Sequence, residues 1–175
     1  ITEYLVRCAS AEIGQSNAVG VAQMIRIVSE LEEISDTIYR LVKLTQRKYK
    51  KEREFTSEAT EGLRDYAQLI ARFITLYNEK MFQPVSRKEI DAARILETEI
   101  GSRGKSLNKL ALARMAKPEP DIKAEILNME LNNHCEKIGN HCFNLMQGLY
   151  VMANEEEAPD SLAQEIDSIV DNNKE

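Results

Sequence analysis

Glu32 and Asp36 stand four residues apart in Leu31-Glu32-Glu33-Ile34-Ser35-Asp36, and Glu136 and Asn140 stand four apart in Cys135-Glu136-Lys137-Ile138-Gly139-Asn140. The two segments match in residue type place by place, a repeat within one chain. On a helix, positions i and i+4 share a face with Cβ atoms about 5 to 6 Å apart. Two oxygen-bearing side chains at that spacing can converge on one hard cation, or on neighbouring cations of a cluster. Helical stepping turns both pairs away from the apolar seam, onto an outward face. A single Glu-x-x-x-Asp is an ordinary charged helix face; the second copy in register makes the pattern worth pursuing.

Other reactive residue types are placed less productively. His134 and His141 accompany Cys135 and Cys142, but seven residues separate each like pair, roughly 10 Å along a helix axis. That is too far for one zinc ion without ligands from other elements, and beyond the reach of a disulfide. All four fall on the apolar side, where a histidine is ordinarily a satisfied core residue. Gly101-Ser102-Arg103-Gly104-Lys105-Ser106 mimics a phosphate-binding loop, yet Glu99 occupies the place of its first glycine and no strand precedes it. A carboxylate-bridged di-iron bundle needs Glu-x-x-His, and Leu131 and Ile138 stand three residues before the two histidines. With two histidines, both seam-facing, nucleophilic catalysis has little to build on.

The elements that must position these residues are helices. In 175 residues, 43% hydrophobic and 30% charged, there is no Trp, four Pro and seven Gly, a composition that favours helix over strand. Apolar residues recur at spacings of three and four, which predicts four long helices packed side by side. The first spans about Asn17 to Lys51, capped by Ser16 or Asn17, with Met24, Ile27, Leu31, Ile34, Ile38 and Leu41 on its seam. The second spans Thr56 to Phe82 with Leu63, Tyr66, Ile70, Phe73, Tyr77 and Met81, and ends at Gln83-Pro84. The third follows a Ser86/Glu89 capping box and runs through Ala93, Leu96, Ile100, Leu107 and Leu110 to Met115, weakened in its middle by Gly101 and Gly104. The fourth starts near Pro118 and reaches Ala153 with Leu127, Leu131, Ile138, Leu145, Leu149 and Met152.

Residues 1–13 read as the end of a further helix, so residues 1–153 form a helical bundle domain whose first packing partner lies upstream. The absence of an initial Met fits a processed protein or a piece of a longer one. Residues 154–175 read as an acidic tail with one short helix carrying Leu162, Ile166 and Ile169. The net charge of -6 argues against a nucleic-acid partner. Three cysteines fit a reducing compartment, and no apolar run is long enough to span a bilayer. The basic run Arg47-Lys48-Tyr49-Lys50-Lys51-Glu52-Arg53 complements the negative end of a helix, and is also suited to an anionic membrane surface.

Paired turns of the Leu-Glu-x-Ile-x-Asp type, in this helix order, resemble the PhoU family, whose signature is Glu or Asp-x-x-x-Asp. The stretch from Arg94-Ile95-Leu96-Glu97-Thr98-Glu99-Ile100 to Arg114-Met115 is similar to the PhoU-like domain that follows the membrane part of bacterial sodium/phosphate cotransporters. The likeness covers about residues 1–153, and His141 after the signature adds to it. It implies an all-α fold of two three-helix up-and-down bundles, the first lacking its first helix. It further implies a cytosolic regulatory domain, not an enzyme, at the inner face of the membrane. Its partner would be the transporter's membrane portion or a phosphate-signalling protein. The family binds iron or other metal clusters through its signature acids, which carries over to Glu32, Asp36, Glu136 and Asn140. Asn140 departs from the expected Asp and surrenders a charge, so the second site should be the weaker. Two alternatives accompany this reading: a free-standing PhoU-type regulator of phosphate uptake, and a metal-free helical scaffold that homodimerises through its incomplete first bundle.

Overall fold

A computed structural model of the chain describes Tyr4 and residues 15–154, with the backbone alone for 15–18. The expected helix over 1–13, the acidic tail over 155–175 and Cys8 lie outside the described residues. Four helices follow one another: α1 Gln15–Lys50, α2 Ser57–Lys80, α3 Arg87–Met115 and α4 Ile122–Ala153. The described residues contain no strand.

Local chemistry accounts for the boundaries. Helix α1 is already running at Gln15, ahead of the expected caps at Ser16 and Asn17. It ends where Glu52 takes a left-handed φ of 50°. There the Arg53 N–H reaches the Lys48 carbonyl at 3.0 Å and the Glu52 N–H reaches that of Tyr49 at 3.1 Å. This is the Schellman arrangement that satisfies the last carbonyls of a helix. Helix α2 starts as expected: the Thr56 hydroxyl accepts from the Ala59 N–H at 3.1 Å. At the start of α3 the Glu89 carboxylate accepts from the Ser86 N–H at 2.8 Å and from its hydroxyl at 2.7 Å. Helix α4 starts four residues later than expected. A residue preceding proline is disfavoured from the helical region, so Glu119 before Pro120 turns to φ 51° and Asp121 becomes the cap, accepting from the Ala124 N–H at 3.0 Å.

The packing is centred on α4. It touches each of the other three, and α2 also packs on α3, so α2, α3 and α4 form a three-helix unit with α1 laid along α4. Residues contacting α1 and α4 pair in descending order (Arg26 with Gln147, Glu30 with His141, Arg53 with Asp121), so these two helices run antiparallel. The shared core holds Ile27, Ile34, Tyr66, Phe73, Ile100, Ile138 and Leu145, all on the expected apolar seams, and also Met146, which is not on the expected seam of α4.

The seam of α1 differs from expectation. Ile27 and Ile34 are buried, but Met24 and Ile38 are 37% and 41% exposed. The buried line runs instead through Gln23, Ile27, Ile34 and Thr37. Among the contacts of α1 only α4 covers it extensively, and one neighbour buries a narrower stripe than a bundle interior does. Two polar residues in that line are invisible to a search for apolar periodicity.

Helix α3 also runs unbroken through Gly101 and Gly104. The reason is space: a Cβ on Gly104 would lie 2.7 Å from the Tyr66 hydroxyl and 3.2 Å from the Glu136 carboxylate. The glycines let α2 and α4 approach α3 closely. On α4, Gly139 does the same, since a Cβ there would meet Ile100 at 2.7 Å.

Candidate functional site

The two copies of the acidic turn lie on α1 and α4, the pair of helices with the most extensive mutual packing. Their settings differ. Glu32 and Asp36 are exposed on α1. Asp36 has a weak partner one turn on, the Arg40 guanidinium at 4.0 Å. In the second copy Asn140 is exposed, but Glu136 is half-buried against the glycine surface of α3. The expectation that both pairs are displayed outward therefore holds for the first and fails for Glu136. Helix α4 has helices on several sides, so a residue that would be outward on a two-partner helix lands against a third.

The surroundings of Glu136 are coherent. Tyr66, fully buried, donates its hydroxyl to the Ile100 carbonyl at 3.0 Å. Burial, and after it the negative charge of Glu136, push the Tyr66 phenol well above its ordinary value and keep it a donor. The glycine spacing in α3 is the sequence signal for this close approach, and it is easily misread as helix weakness.

Sequence reasoning did not anticipate Glu30. Its carboxylate accepts from Asn144 Nδ2 at 3.1 Å and lies 2.7 Å from His141 Nδ1, while the side chain is 16% exposed. One half-buried carboxylate thus clips α1 to α4 beside the acidic turns. Its spacing from Ile27 and Ile34, three residues and four, is the trace it leaves in the sequence. His141 is a satisfied interface residue. His134 is less content: its Nδ1 is buried without a partner, and burial, then the nearby Lys137 and Arg40, lower its pKa.

Cys135 and Cys142 are buried free thiols, as their spacing demands. Burial pushes their pKa values up to about 11 and about 12, which suppresses the reactive thiolate.

The basic run at the end of α1 is partly spent on α4. Arg47 pairs with Glu130, and Arg53 lies 3.3 Å from Asp121, the cap of α4. Lys51 and Lys123 line the same small groove of about 380 Å³.

No protein-family model, curated protein or solved structure matches the chain. Chemistry must be judged from the residues themselves. Glu32 and Asp36 suit two adjacent corners of a hard-cation site, being carboxyl oxygen ligands one helical turn apart. Among the described residues no group of three or more His, Cys, Asp or Glu side chains is gathered closely enough to hold a metal ion. Among the described residues the acids of α1 therefore form an open edge. Among the described residues no helix is long and apolar enough to cross a membrane.

Proposed function

We propose that the chain is a regulatory, partner-binding domain of the PhoU-like kind, acting in the control of phosphate uptake at the cytosolic face of a bacterial membrane. It docks there on the membrane portion of a sodium/phosphate cotransporter or on a phosphate-signalling protein, and performs no catalysis. What supports this most is the position of the repeat. The matched turns fall on two antiparallel helices that lie along one another, with α2 and α3 completing a three-helix unit about α4. One whole bundle plus one long helix of another is the arrangement that the family resemblance implies for this stretch.

In this reading α4 is the rigid spine, and the exposed flank of α1 carries the contact chemistry. Glu32 and Asp36 would hold a hard cation, iron or another, and the cation would supply positive charge toward acidic or phosphate-bearing partners. Glu136, held over Gly104, contributes negative potential and packing from within the three-helix unit.

Two measurements test the proposal together. Protein purified without chelator is expected to carry iron, zinc or manganese, lost when Glu32→Ala and Asp36→Ala are combined. Cells carrying the same pair of substitutions are expected to mis-set phosphate uptake when phosphate is plentiful. Unchanged uptake control in those cells, with the variant folded and present at normal levels, would refute the phosphate role. Metal-free wild-type protein would remove the cation from it.

A further inference from the structure

The groove between the end of α1 and the start of α4 holds more positive charge than its ion pairs consume. Antiparallel packing brings these two ends together, and the left-handed turn at Glu52 folds Arg53 back beside them. Arg47 and Lys51 stand one turn apart on α1. The Lys51 N–H still donates to the Arg47 carbonyl at 3.0 Å, so the two residues share a side of the helix. From α4 come Lys123 and Glu130, with the buried Leu127 and the half-exposed Ile126 as apolar lining.

Counting charges shows what the groove can take. Four cations line it: Arg47, Lys51, Arg53 and Lys123. Arg47 is paired with Glu130, and Arg53 with Asp121. Lys51 and Lys123 are exposed, and no ion pair among the described residues engages them. The groove thus keeps an excess of two positive charges in a chain whose net charge is -6. Neither arginine is exhausted by its acid, because a guanidinium has five N–H donors and each of these pairs engages a single nitrogen. Lys48 takes no part: its ammonium lies over the rings of Tyr49 and Phe55, 4.9 and 5.0 Å from their centroids. The positive end of α4 meets the negative end of α1, so the helix ends offset one another and the side chains set the field.

We propose that this groove binds a phosphate monoester group in its dianionic form. The two unmatched positive charges balance the charge of about -1.5 to -2 that such a group carries near pH 7. Lysines supply point charge and arginine forks supply directed donors, the combination that suits phosphate oxygens. The groove volume of about 380 Å³ falls within the range of small-ligand sites, about 300–1,000 Å³. It has room for a body beyond the phosphate, which Ile126 and Leu127 would contact. The same group can arrive on a small soluble molecule or on a lipid headgroup. Either way the groove prefers the doubly charged monoester to a singly charged diester, which separates it from the general attraction of a basic helix end to an anionic surface. The inference rests on these charges and is independent of Glu32, Asp36 and the control of phosphate uptake.

Two binding measurements on the full chain test it. Isothermal titration calorimetry with glycerol 3-phosphate and with AMP examines the soluble source. Flotation with phosphatidylcholine vesicles containing phosphatidic acid examines the lipid source, with phosphatidylglycerol vesicles of equal charge as the diester reference. At least one source is expected to bind the wild type, and K51A/K123A to bind it about tenfold or more weakly. K88A/K105A removes equal charge from exposed positions on α3 and is expected to bind as the wild type does. Affinity is expected to fall as the pH drops through about 6, where the monoester loses its second charge. All four lysines are exposed, and circular dichroism verifies that each variant keeps its helices. Calorimetric binding lost in K51A/K123A supports the proposal with a soluble ligand; binding to phosphatidic acid vesicles alone, lost in the same variant, supports it with a lipid. Failure of both probes, binding that survives K51A/K123A, or equal binding to the diester vesicles overturns it. Uptake control in cells is measured with these lysines intact, so failure of that reading and failure of this one are told apart.

Discussion

Close contacts at glycines set how near α2, α3 and α4 approach, Gly104 among them. The Tyr66 hydroxyl occupies the space in which a side chain at Gly104 would begin, 2.7 Å from the site of its Cβ. Gly104→Ala should therefore destabilise the fold by about 1–2 kcal/mol, overpacking outweighing the better helix propensity of alanine. Tyr66→Phe should cost about 1 kcal/mol through loss of its bond to the Ile100 carbonyl. Combined, the two should cost less than their sum, because removing the oxygen makes room for the methyl group. Urea unfolding of the four proteins measures the coupling, and strict additivity would show that Tyr66 is not the group in the way.

At the scale of elements, the joint between α2 and α3 has a pH dependence that can be worked out. Lys80 at the end of α2 pairs with Glu89 in the first turn of α3, and Glu89 also receives the Ser86 N–H and hydroxyl. The Lys80 hydrogen bond foremost, and then those of Ser86, lower the Glu89 pKa from 4.5 to about 2. A carboxyl group with a depressed folded-state pKa stabilises the fold above its unfolded value, and that stabilisation fades as the group is protonated. Glu89→Gln should thus be less stable than wild type at pH 7, with the gap closing progressively between pH 4.5 and about 2. Denaturant unfolding across that range checks it; a gap independent of pH would place the effect in packing instead of charge.

For the molecule as a whole, the far end of the three-helix unit is held by a buried ion pair. Arg114 of α3 donates to both carboxylate oxygens of Glu125 on α4, at 2.8 and 2.9 Å, with both residues nearly sealed from water. Arg114 also lies 3.7 Å from Glu58 of α2, so one guanidinium links all three helices. Arg114→Ala would strand the Glu125 charge and should cost about 3–5 kcal/mol. Replacing both partners with apolar residues, Arg114→Met with Glu125→Leu, should recover most of that loss. Thermal unfolding followed by circular dichroism discriminates: a double variant as weak as the single one would mean that the pair itself stabilises the fold.

The four described helices and most of their boundaries were legible in the linear chain, because apolar spacing, capping residues and prolines act locally and leave their marks within a turn or two. The cores of α2 and α4 were legible for the same reason. The burial line of α1 was not: it contains Gln23 and Thr37, and its orientation follows from which neighbour covers the helix. The acidic turns show the division most clearly. Their repetition and the outward position of Glu32 and Asp36 are written in residues 31–36 and 135–140, but only packing pressed Glu136 against Gly104. Glu30 joined His141 and Asn144 for a reason no local pattern holds, since residues more than a hundred apart met when α1 lay down antiparallel on α4. Local steric and hydrogen-bonding preferences are encoded residue by residue, whereas the side of a helix that meets water is a property of the neighbours that tertiary packing assigns to it.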